Sequence, residues 1–372
     1  MYKIVQVVPA LGWGGAQIFC IQLCNELAKK PGYEITLISL YDHAPGKHLP
    51  LSLLDANIKF IVLGKKPGLN PVIFFKVYKI LKKIKPDIVH THLHAAYYCF
   101  YAYKRLTHFF KKVHTIHNLA RMDAPLHGRK MFKYFFGRNI IEAVAISEEV
   151  YKSALKEYGN CIKTIIYNGS KAVQPSPAFS ETQQLVNSLK KNTATKVLLN
   201  VARITRQKNQ KLLLDVMHTL EQRNIIAIIA GGYVTEDEDL YKELVINKPP
   251  NVHFIGKVSN VGDYILCADA FVLTSIFEGL PISLLEALSA RVIPVCTPVG
   301  GIVNVITKDI GFLSDDLSKD AYLKVLELYF NTSESDKMRL QDNGKELYNK
   351  KFSIAACASA YDNLYHVHNK VQ

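Results

Sequence analysis

The chain has 372 residues, 49% hydrophobic and 21% charged, enough apolar material for two domains of ordinary size and too much for a disordered chain. No apolar run reaches the roughly 18 to 20 charge-free residues that span a bilayer, and Met1-Tyr2-Lys3-Ile4-Val5 reads as a first strand rather than a signal peptide, so a cytoplasmic address is expected. The net charge of +14 lies in the first half: residues 1–170 hold 24 of the 46 Lys and Arg and 10 of the 32 Asp and Glu, which leaves 22 of each for the rest.

In chain order, short Val- and Ile-rich runs alternate with longer segments of helical character, the pattern of a parallel sheet covered on both faces. Strands are predicted at Ile4–Val8, Ile35–Leu40, Ile58–Leu63, Asp87–Thr91, Lys112–Ile116, Ala143–Ile146 and Lys163–Tyr167. Between residues 171 and 195 the periodicity fades into Ser, Pro, Gln, Asn and Thr, which predicts a linker. A second series has strands at Lys196–Val201, Ile225–Ala230, Val252–Phe254, Ala270–Leu273 and Val292–Val295, with helices near 207–222, 236–246, 259–267 and 281–290. After Leu317 the chain reads as helical, and Ser353–His368 is expected to pack back on the first domain. The predicted fold is α/β: doubly wound domains at 1–170 and 196–352. Open sheets of this kind bind ligands beyond the carboxyl ends of their strands, so the chemistry is expected in an interdomain cleft.

Leu11-Gly12-Trp13-Gly14-Gly15-Ala16 follows the first strand and opens a helix, where glycines let backbone approach a phosphate or sugar. Its Gly-x-Gly-Gly spacing differs from that of dinucleotide enzymes, and a ligand-free tight turn accounts for it equally well. His90-Thr91-His92-Leu93-His94 and His114-Thr115-Ile116-His117-Asn118 end two strands. They suit the polar lining of a pocket, with packed, hydrogen-bonded histidines as the alternative for His90 and His114. A metal site would need the strand to run on past Thr91 and an acidic partner.

In the second half, Arg203-Ile204-Thr205-Arg206-Gln207-Lys208 lies between a strand and a helix, where a guanidinium fork and an ammonium can neutralise a diphosphate. Glu278-Gly279-Leu280-Pro281-Ile282-Ser283-Leu284-Leu285-Glu286 is sharper. Pro281 suits a first helical turn, so Gly279 and Leu280 are expected to offer free amides at its positive end, with Glu278 beside them and Glu286 further along. Two carboxylates that accept hydroxyls, with amides between them, suit a sugar joined to a phosphate. Two solvated glutamates would leave the Gly-Leu-Pro insert unexplained.

In this order the motifs resemble glycosyltransferase family 4, the retaining nucleotide-sugar transferases of GT-B fold. The resemblance takes in the glycine loop, His117-Asn118, Ser147-Glu148, Asn168-Gly169, the Arg203 to Lys208 spacing, Ile229-Ala230-Gly231-Gly232, Phe254-Ile255-Gly256 and the Glu278 to Glu286 pair. It implies that Arg203 and Lys208 hold the donor diphosphate and Glu286 the ribose. It gives the sugar to Glu278 with the Gly279 and Leu280 amides. Gly14 and Gly15 would approach donor phosphates and sugar, His117 would sit near the reacting carbon, and the backbone around Gly256 and Val258 would hold the base. Arg203, Lys208, Glu278 and His117 would form the catalytic set, with no metal or other cofactor. Ala202 stands where the family often has glycine, and Asn118 where aspartate also occurs. The donor is expected to be a UDP-sugar, with guanosine as the alternative base, and the acceptor a glycan or lipid-linked glycan. A sugar-nucleotide epimerase and a non-catalytic binding subunit are the competing readings.

Three stretches of the first half interleave aromatic and basic residues: Phe74–Lys85, Tyr97–Leu106 followed by Phe109–Lys112, and Arg129–Phe136. Such segments attract an anionic leaflet, so peripheral association with the inner face of the plasma membrane is expected, with ordinary packed amphipathic helices as the alternative. No nucleic-acid recognition motif accompanies the charge. The seven cysteines form no Cys-x-x-Cys pair, and most are expected to be small buried hydrophobes.

Overall fold

The computed structural model describes residues 1–12, 14–42, 51–68, 70–106, 110–124 and 126–367. Trp13, Phe109 and His368 of the predicted segments lie outside them. The chain divides into one unit of residues 1–170 and 351–372 and another of residues 171–350.

The first unit begins β1 (Tyr2–Val8), α1 (Gly15–Ala28), β2 (Tyr33–Tyr41), β3 (Lys59–Lys65), α2 (Pro71–Ile84), β4 (Ile88–His92) and α3 (Ala95–Arg105). It continues with β5 (Lys111–Ile116), α4 (Ala120–Asp123), α5 (Leu126–Gly137), β6 (Glu142–Ala145), α6 (Glu148–Tyr158) and β7 (Thr164–Ile165). All seven strands are parallel, in the order β3-β2-β1-β4-β5-β6-β7. Strands buried on both faces read as continuous Val and Ile runs, and Val5, Val7, Val89 and Val113 are fully buried. β7, paired only with β6 at the sheet's edge, is two residues long, shorter than the predicted Lys163–Tyr167.

The second unit holds α7 (Phe179–Leu189), β8 (Lys196–Val201), α8 (Gln210–Thr219), β9 (Ile225–Ala230), α9 (Glu238–Ile246), β10 (Val252–Gly256), α10 (Val261–Leu266) and β11 (Ala270–Leu273). After these come α11 (Ile282–Ser289), β12 (Ile293–Cys296), β13 (Phe312–Leu313), α12 (Lys319–Asn331) and α13 (Glu334–Leu347). Its parallel order is β10-β9-β8-β11-β12-β13. The strand order reverses between β8 and β11, and between β1 and β4 in the first unit, which is where open α/β sheets place ligands.

The segment predicted as a linker, 171–195, instead contains α7 and belongs to the second unit. The buried positions of α7 are only Thr182 and Val186, a stripe too narrow to stand out by periodicity. Asp263 ties it down, accepting from Ser176 N (2.8 Å), and Asn260 Nδ2 donates to Thr182 Oγ1 (2.8 Å).

The last helix, α14 (Ile354–His366), is part of the first unit. Ser353 caps it, accepting from Ala356 N at 3.2 Å. Ser170 N donates to Phe352 O (2.9 Å) and Ile354 N to Ser170 O (2.8 Å), so the returning chain adds a short parallel bridge. A Cβ on Gly169 would stand 2.7 Å from Cys357 Cβ and 2.9 Å from Ile354 Cα. The Asn168-Gly169 motif is therefore where the returning helix rests on the first unit. Asp362 fastens it further, accepting from Lys30 Nζ at 2.5 Å and from the Tyr33 hydroxyl.

Candidate active site

The loops that follow β8 and β11 meet in the second unit. After β8, Ala202 N donates to Ala230 O (3.1 Å) and Ile204 N to Gly232 O (2.9 Å), so the Arg203 loop lies against Gly231-Gly232. A Cβ on Gly231 would stand 1.8 Å from Ala202 O, which leaves glycine as the fitting residue. Gln210 Nε2 donates to Arg203 O at 2.9 Å, and the Arg203 side chain is exposed without an ion-pair partner among the described residues.

The loop after β11 packs on the other side of this turn. Thr274 Oγ1 donates to Asn209 O (2.9 Å), Ile276 N to Gln207 O (2.8 Å) and Gln207 Nε2 to Phe277 O (2.9 Å). These bonds bring Lys208 to Glu278, with which it forms an ion pair, and Ser275 Oγ donates to the same Glu278 oxygen at 2.6 Å. Glu278 is buried, 5% exposed. Beneath it, Gly300 has φ +54° and a Cβ there would stand 1.8 Å from Glu278 O, so the turn after β12 fixes the glutamate from below.

Pro281 is not within the first turn of α11 but just before it, in extended conformation. Gly279 and Leu280 are buried in the loop upstream, and Gly279 O accepts from Gly301 N at 2.7 Å. The first-turn donors of α11 thus belong to Ile282, Ser283 and Leu284, a correction of two or three positions. The error arose because proline is as compatible with the extended cap position as with the first helical one. Glu286 sits on this helix with its carboxylate unbonded to any described residue, and burial pushes the carboxyl up to about 7. Gly256 ends β10 with φ +69°, and Gly231 N donates to its carbonyl at 2.8 Å; half-buried Val258 follows. The second unit therefore gathers Arg203, Lys208, Glu278 and the N-terminus of α11 through bonded loops, a surface suited to anionic and hydroxyl groups.

In the first unit, Gly14 directly precedes α1 in extended conformation and Gly15 is its first residue. β4 ends at His92, and Leu93 turns the chain with φ 52°, so His94 is exposed while His90 and His92 are fully buried. His92 Nδ1 stands 2.9 Å from His117 Nε2, and His92 Nε2 is 2.8 Å from Gln6 Oε1. His90 bonds Thr115 Oγ1 (2.7 Å) and Tyr365 Oη (2.8 Å), and His114 bonds Thr91 Oγ1 (2.9 Å). Burial pushes His114 and His117 down to about 3 and holds His90 and His92 well below the usual histidine range. Neutral rings result. His117 N donates to Asp123 Oδ1 at 3.0 Å, and burial pushes that carboxyl up to about 7. Asn118 folds its side chain back to accept from Leu119 N at 2.8 Å.

Sequence reasoning passed over Gln6, Ser275, Tyr361 and Tyr365. Gln6 was visible as the one polar residue inside an apolar strand, and Tyr361 and Tyr365 as a pair one helical turn apart. Among the described residues no group of three His, Cys, Asp or Glu is arranged to hold a metal ion.

The aromatic and basic stretches are divided between packing and surface. Tyr101 packs on Phe75 (4.9 Å between centroids) and Tyr78 (5.3 Å), and Phe132, Phe135 and Phe136 are buried. Lys76, Lys79, Lys82 and Lys83 of α2 are exposed beside Val72 and Phe75, which are 57% and 52% exposed. No helix among the described residues is long and apolar enough to cross a membrane.

Known proteins bear on the family and the fold. The Glycosyltransferase Family 4 model matches residues 13–170, and the Glycosyl transferases group 1 model residues 181–347. A UDP-Gal:alpha-D-GlcNAc-diphosphoundecaprenol alpha-1,3-galactosyltransferase of Escherichia coli is 25% identical over 67% of this chain and 68% of its own length. The O-antigen biosynthesis glycosyltransferase WbnH of Escherichia coli is 27% identical over 82% of this chain and 84% of its own. A glycosyltransferase structure from Rickettsia africae superposes with a TM-score of 0.82 at 20% identity, covering 100% of this chain and 99% of that one. Anabaena HepE, in complex with UDP and glucose, gives 0.81 at 17% identity, covering 99% and 100%. These likenesses establish the GT-B fold of two Rossmann-like domains. Since the two matched segments run in order through both units, the chain belongs to glycosyltransferase family 4.

Proposed function

We propose that this protein transfers a sugar from a UDP-sugar to a glycan or lipid-linked acceptor, with retention at the anomeric carbon, in the assembly of a cell-surface polysaccharide. The observation that carries the reading is the cluster in the second unit: an exposed Arg203 and a Glu286 carboxyl that have no side-chain partner among the described residues, and the Lys208–Glu278 ion pair, beside a helix whose first turn offers amides. Arg203, Lys208 and the α11 amides take the diphosphate, Glu286 the ribose hydroxyls, and Glu278 the sugar. The family resemblance adds Gly14, Gly15 and His117 for the phosphates and sugar, and the Gly256 to Val258 backbone for the base.

In this mechanism the acceptor hydroxyl attacks on the face from which the nucleotide departs, through an oxocarbenium-like state. Charge on the leaving diphosphate is stabilised by Arg203, Lys208 and helix amides. The departing phosphate oxygen takes the acceptor's proton, so neither a separate base nor a metal is required. The names of the relatives, which speak of UDP-galactose, a diphosphoundecaprenol-linked acceptor and O-antigen, favour the same substrate classes.

The test is incubation with a UDP-sugar panel and a polyprenyl-diphosphate-linked GlcNAc, followed by NMR of the product's anomeric coupling. An α-linked product from an α-linked donor is expected. A β-linked product would overturn retention, and conversion of donor without acceptor would favour the epimerase.

The lysines of α2 with Val72 and Phe75 form a face suited to an anionic leaflet, and we include peripheral membrane association in the proposal. Co-sedimentation with vesicles containing phosphatidylglycerol is expected at moderate salt and should fall in Lys79→Glu/Lys82→Glu/Lys83→Glu. Equal sedimentation of both proteins would remove this face from the account.

A further inference from the structure

A chain of buried hydrogen bonds in the first unit ends on His117, and the surroundings of one ring nitrogen there choose between its two directions. Gln6 Nε2 donates to Tyr365 Oη at 3.2 Å, while Gln6 Oε1 stands 2.8 Å from His92 Nε2. An amide oxygen only accepts, so His92 Nε2 carries the proton and the neutral ring has a bare Nδ1. That nitrogen lies 2.9 Å from His117 Nε2, which must then be the donor. His117 Nδ1 is left without a proton. It is shielded from solvent and has no partner among the described residues, a place where a lone pair is tolerated better than an N–H with no acceptor. Turning the Gln6 amide over would reverse each of these bonds and put an N–H there.

Beyond Tyr365 the chain continues. Its hydroxyl meets His90 Nδ1 at 2.8 Å, His90 Nε2 meets Thr115 Oγ1 at 2.7 Å, and Thr115 Oγ1 meets Tyr361 Oη at 2.7 Å. Tyr361 and Tyr365 both come from α14, so the returning helix closes the network. Phe19 of α1 packs on both His92 and His117, His90 of β4 lies against His92, His114 of β5 is near both, and Asp123 of α4 reaches the His117 backbone. Asp123 is the one carboxyl among these, and it bonds the His117 backbone rather than the ring.

We propose that Gln6 and Tyr365 are positioning residues that hold His117 as its Nε2–H tautomer, so that its other nitrogen can only accept a hydrogen bond. This rests on the reading that His117 serves the donor sugar. A bare Nδ1 selects a sugar hydroxyl, which brings its own proton, over a phosphate oxygen, which brings none.

The test begins with long-range ¹H–¹⁵N spectra of the full chain labelled in histidine, with His117→Gln to assign the signal. A protonated Nε2 and an unprotonated Nδ1 are expected at His117; a protonated Nδ1 in the wild-type protein would overturn the proposal. In Tyr365→Phe the amide loses one of its two partners, and a mixture of tautomers is expected. Turnover on the most active UDP-sugar should fall at least about tenfold, as when a catalytic histidine loses its tautomer, with little change in donor KM. Tyr361→Phe, equally buried but outside the Gln6–His92–His117 segment, should keep both the spectrum and most of the turnover. Gln6→Glu keeps an acceptor toward His92 and should preserve the His117 tautomer where Gln6→Met does not. Its added charge should also create an acid limb in the pH profile that the wild type lacks. An unchanged tautomer in both Tyr365→Phe and Gln6→Met, or equal loss in Tyr361→Phe and Tyr365→Phe, would reduce the network to ordinary packing. If no UDP-sugar is turned over, the proposed function fails while the spectra still decide the tautomer.

Discussion

Lys208 and Glu278 form an ion pair across two loops that the sequence separates by 70 positions, and Ser275 supports the same carboxylate oxygen. In the proposed function the lysine answers a diphosphate and the glutamate a sugar, so each would hold the other ready while the donor is absent. Their pairing also means that removing one leaves the other buried without compensation.

Lys208→Ala should therefore do two things at once. Turnover is expected to fall about tenfold to a thousandfold through loss of a donor to the leaving group, and stability to fall by about 3 kcal/mol through the stranded carboxylate. The double variant Lys208→Met/Glu278→Gln separates these effects: its melting temperature should recover while its turnover stays low. Recovery of turnover in the double variant would place the pair outside the chemistry.

Glu286 titrates where nucleotide binding is measured. Its carboxyl is pushed up to about 7 by burial, and ribose hydroxyls bond best to its ionised form. Below pH 7 a proton must leave for the donor to bind, so UDP-sugar affinity should weaken by up to about tenfold per pH unit on acidification and level off above 7. Calorimetric titrations between pH 5.5 and 8.5 measure this, and Glu286→Gln should bind weakly with no such slope. A wild-type affinity independent of pH would count against ribose binding by Glu286.

The buried histidines predict acid lability of the first unit. His90, His92, His114 and His117 are all held below their ordinary 6.5, so the unfolded chain takes up protons that the folded unit refuses. Stability from these four is complete above about pH 6.5 and is lost as pH falls below it. Asp123, raised to about 7, acts oppositely: the folded unit holds its proton down to the ordinary carboxyl range near 3.8, which offsets one of the four in that window. Urea unfolding of the first unit, followed through its tyrosines, should show the midpoint falling steeply from pH 6.5 to 4.5. A flat midpoint across that range would mean the histidines are not neutral and buried together.

Most of the strand ladder was legible because parallel strands buried on both faces are written as unbroken Val and Ile runs; β8, β9 and β11 coincide with their predicted spans. α7 was not, since a helix that buries only Thr182 and Val186 leaves little periodic trace. Arg203, Lys208, Glu278 and Glu286, the candidate residues that sit in motifs, stood out by their spacing, and the folded chain pairs Lys208 with Glu278. Gly279 and Leu280 were displaced from the helix start by a proline that fits two positions. Gln6 and Tyr365 left a trace in the sequence, but their roles, like that of Ser275, depend on partners 3 to 359 positions away, which only the folded chain brings into contact.

Thermal shift against UDP- and GDP-sugars in the presence of EDTA, run on the wild type and on Arg203→Ala, bears most directly on the donor site. A ligand that binds only the folded state raises the melting temperature by mass action. The wild type should rise with a UDP-sugar and without divalent metal, and Arg203→Ala should lose most of that rise while unfolding at the same temperature as the wild type when no ligand is added. No rise with any nucleotide sugar, or an equal rise in both proteins, would contradict the assignment.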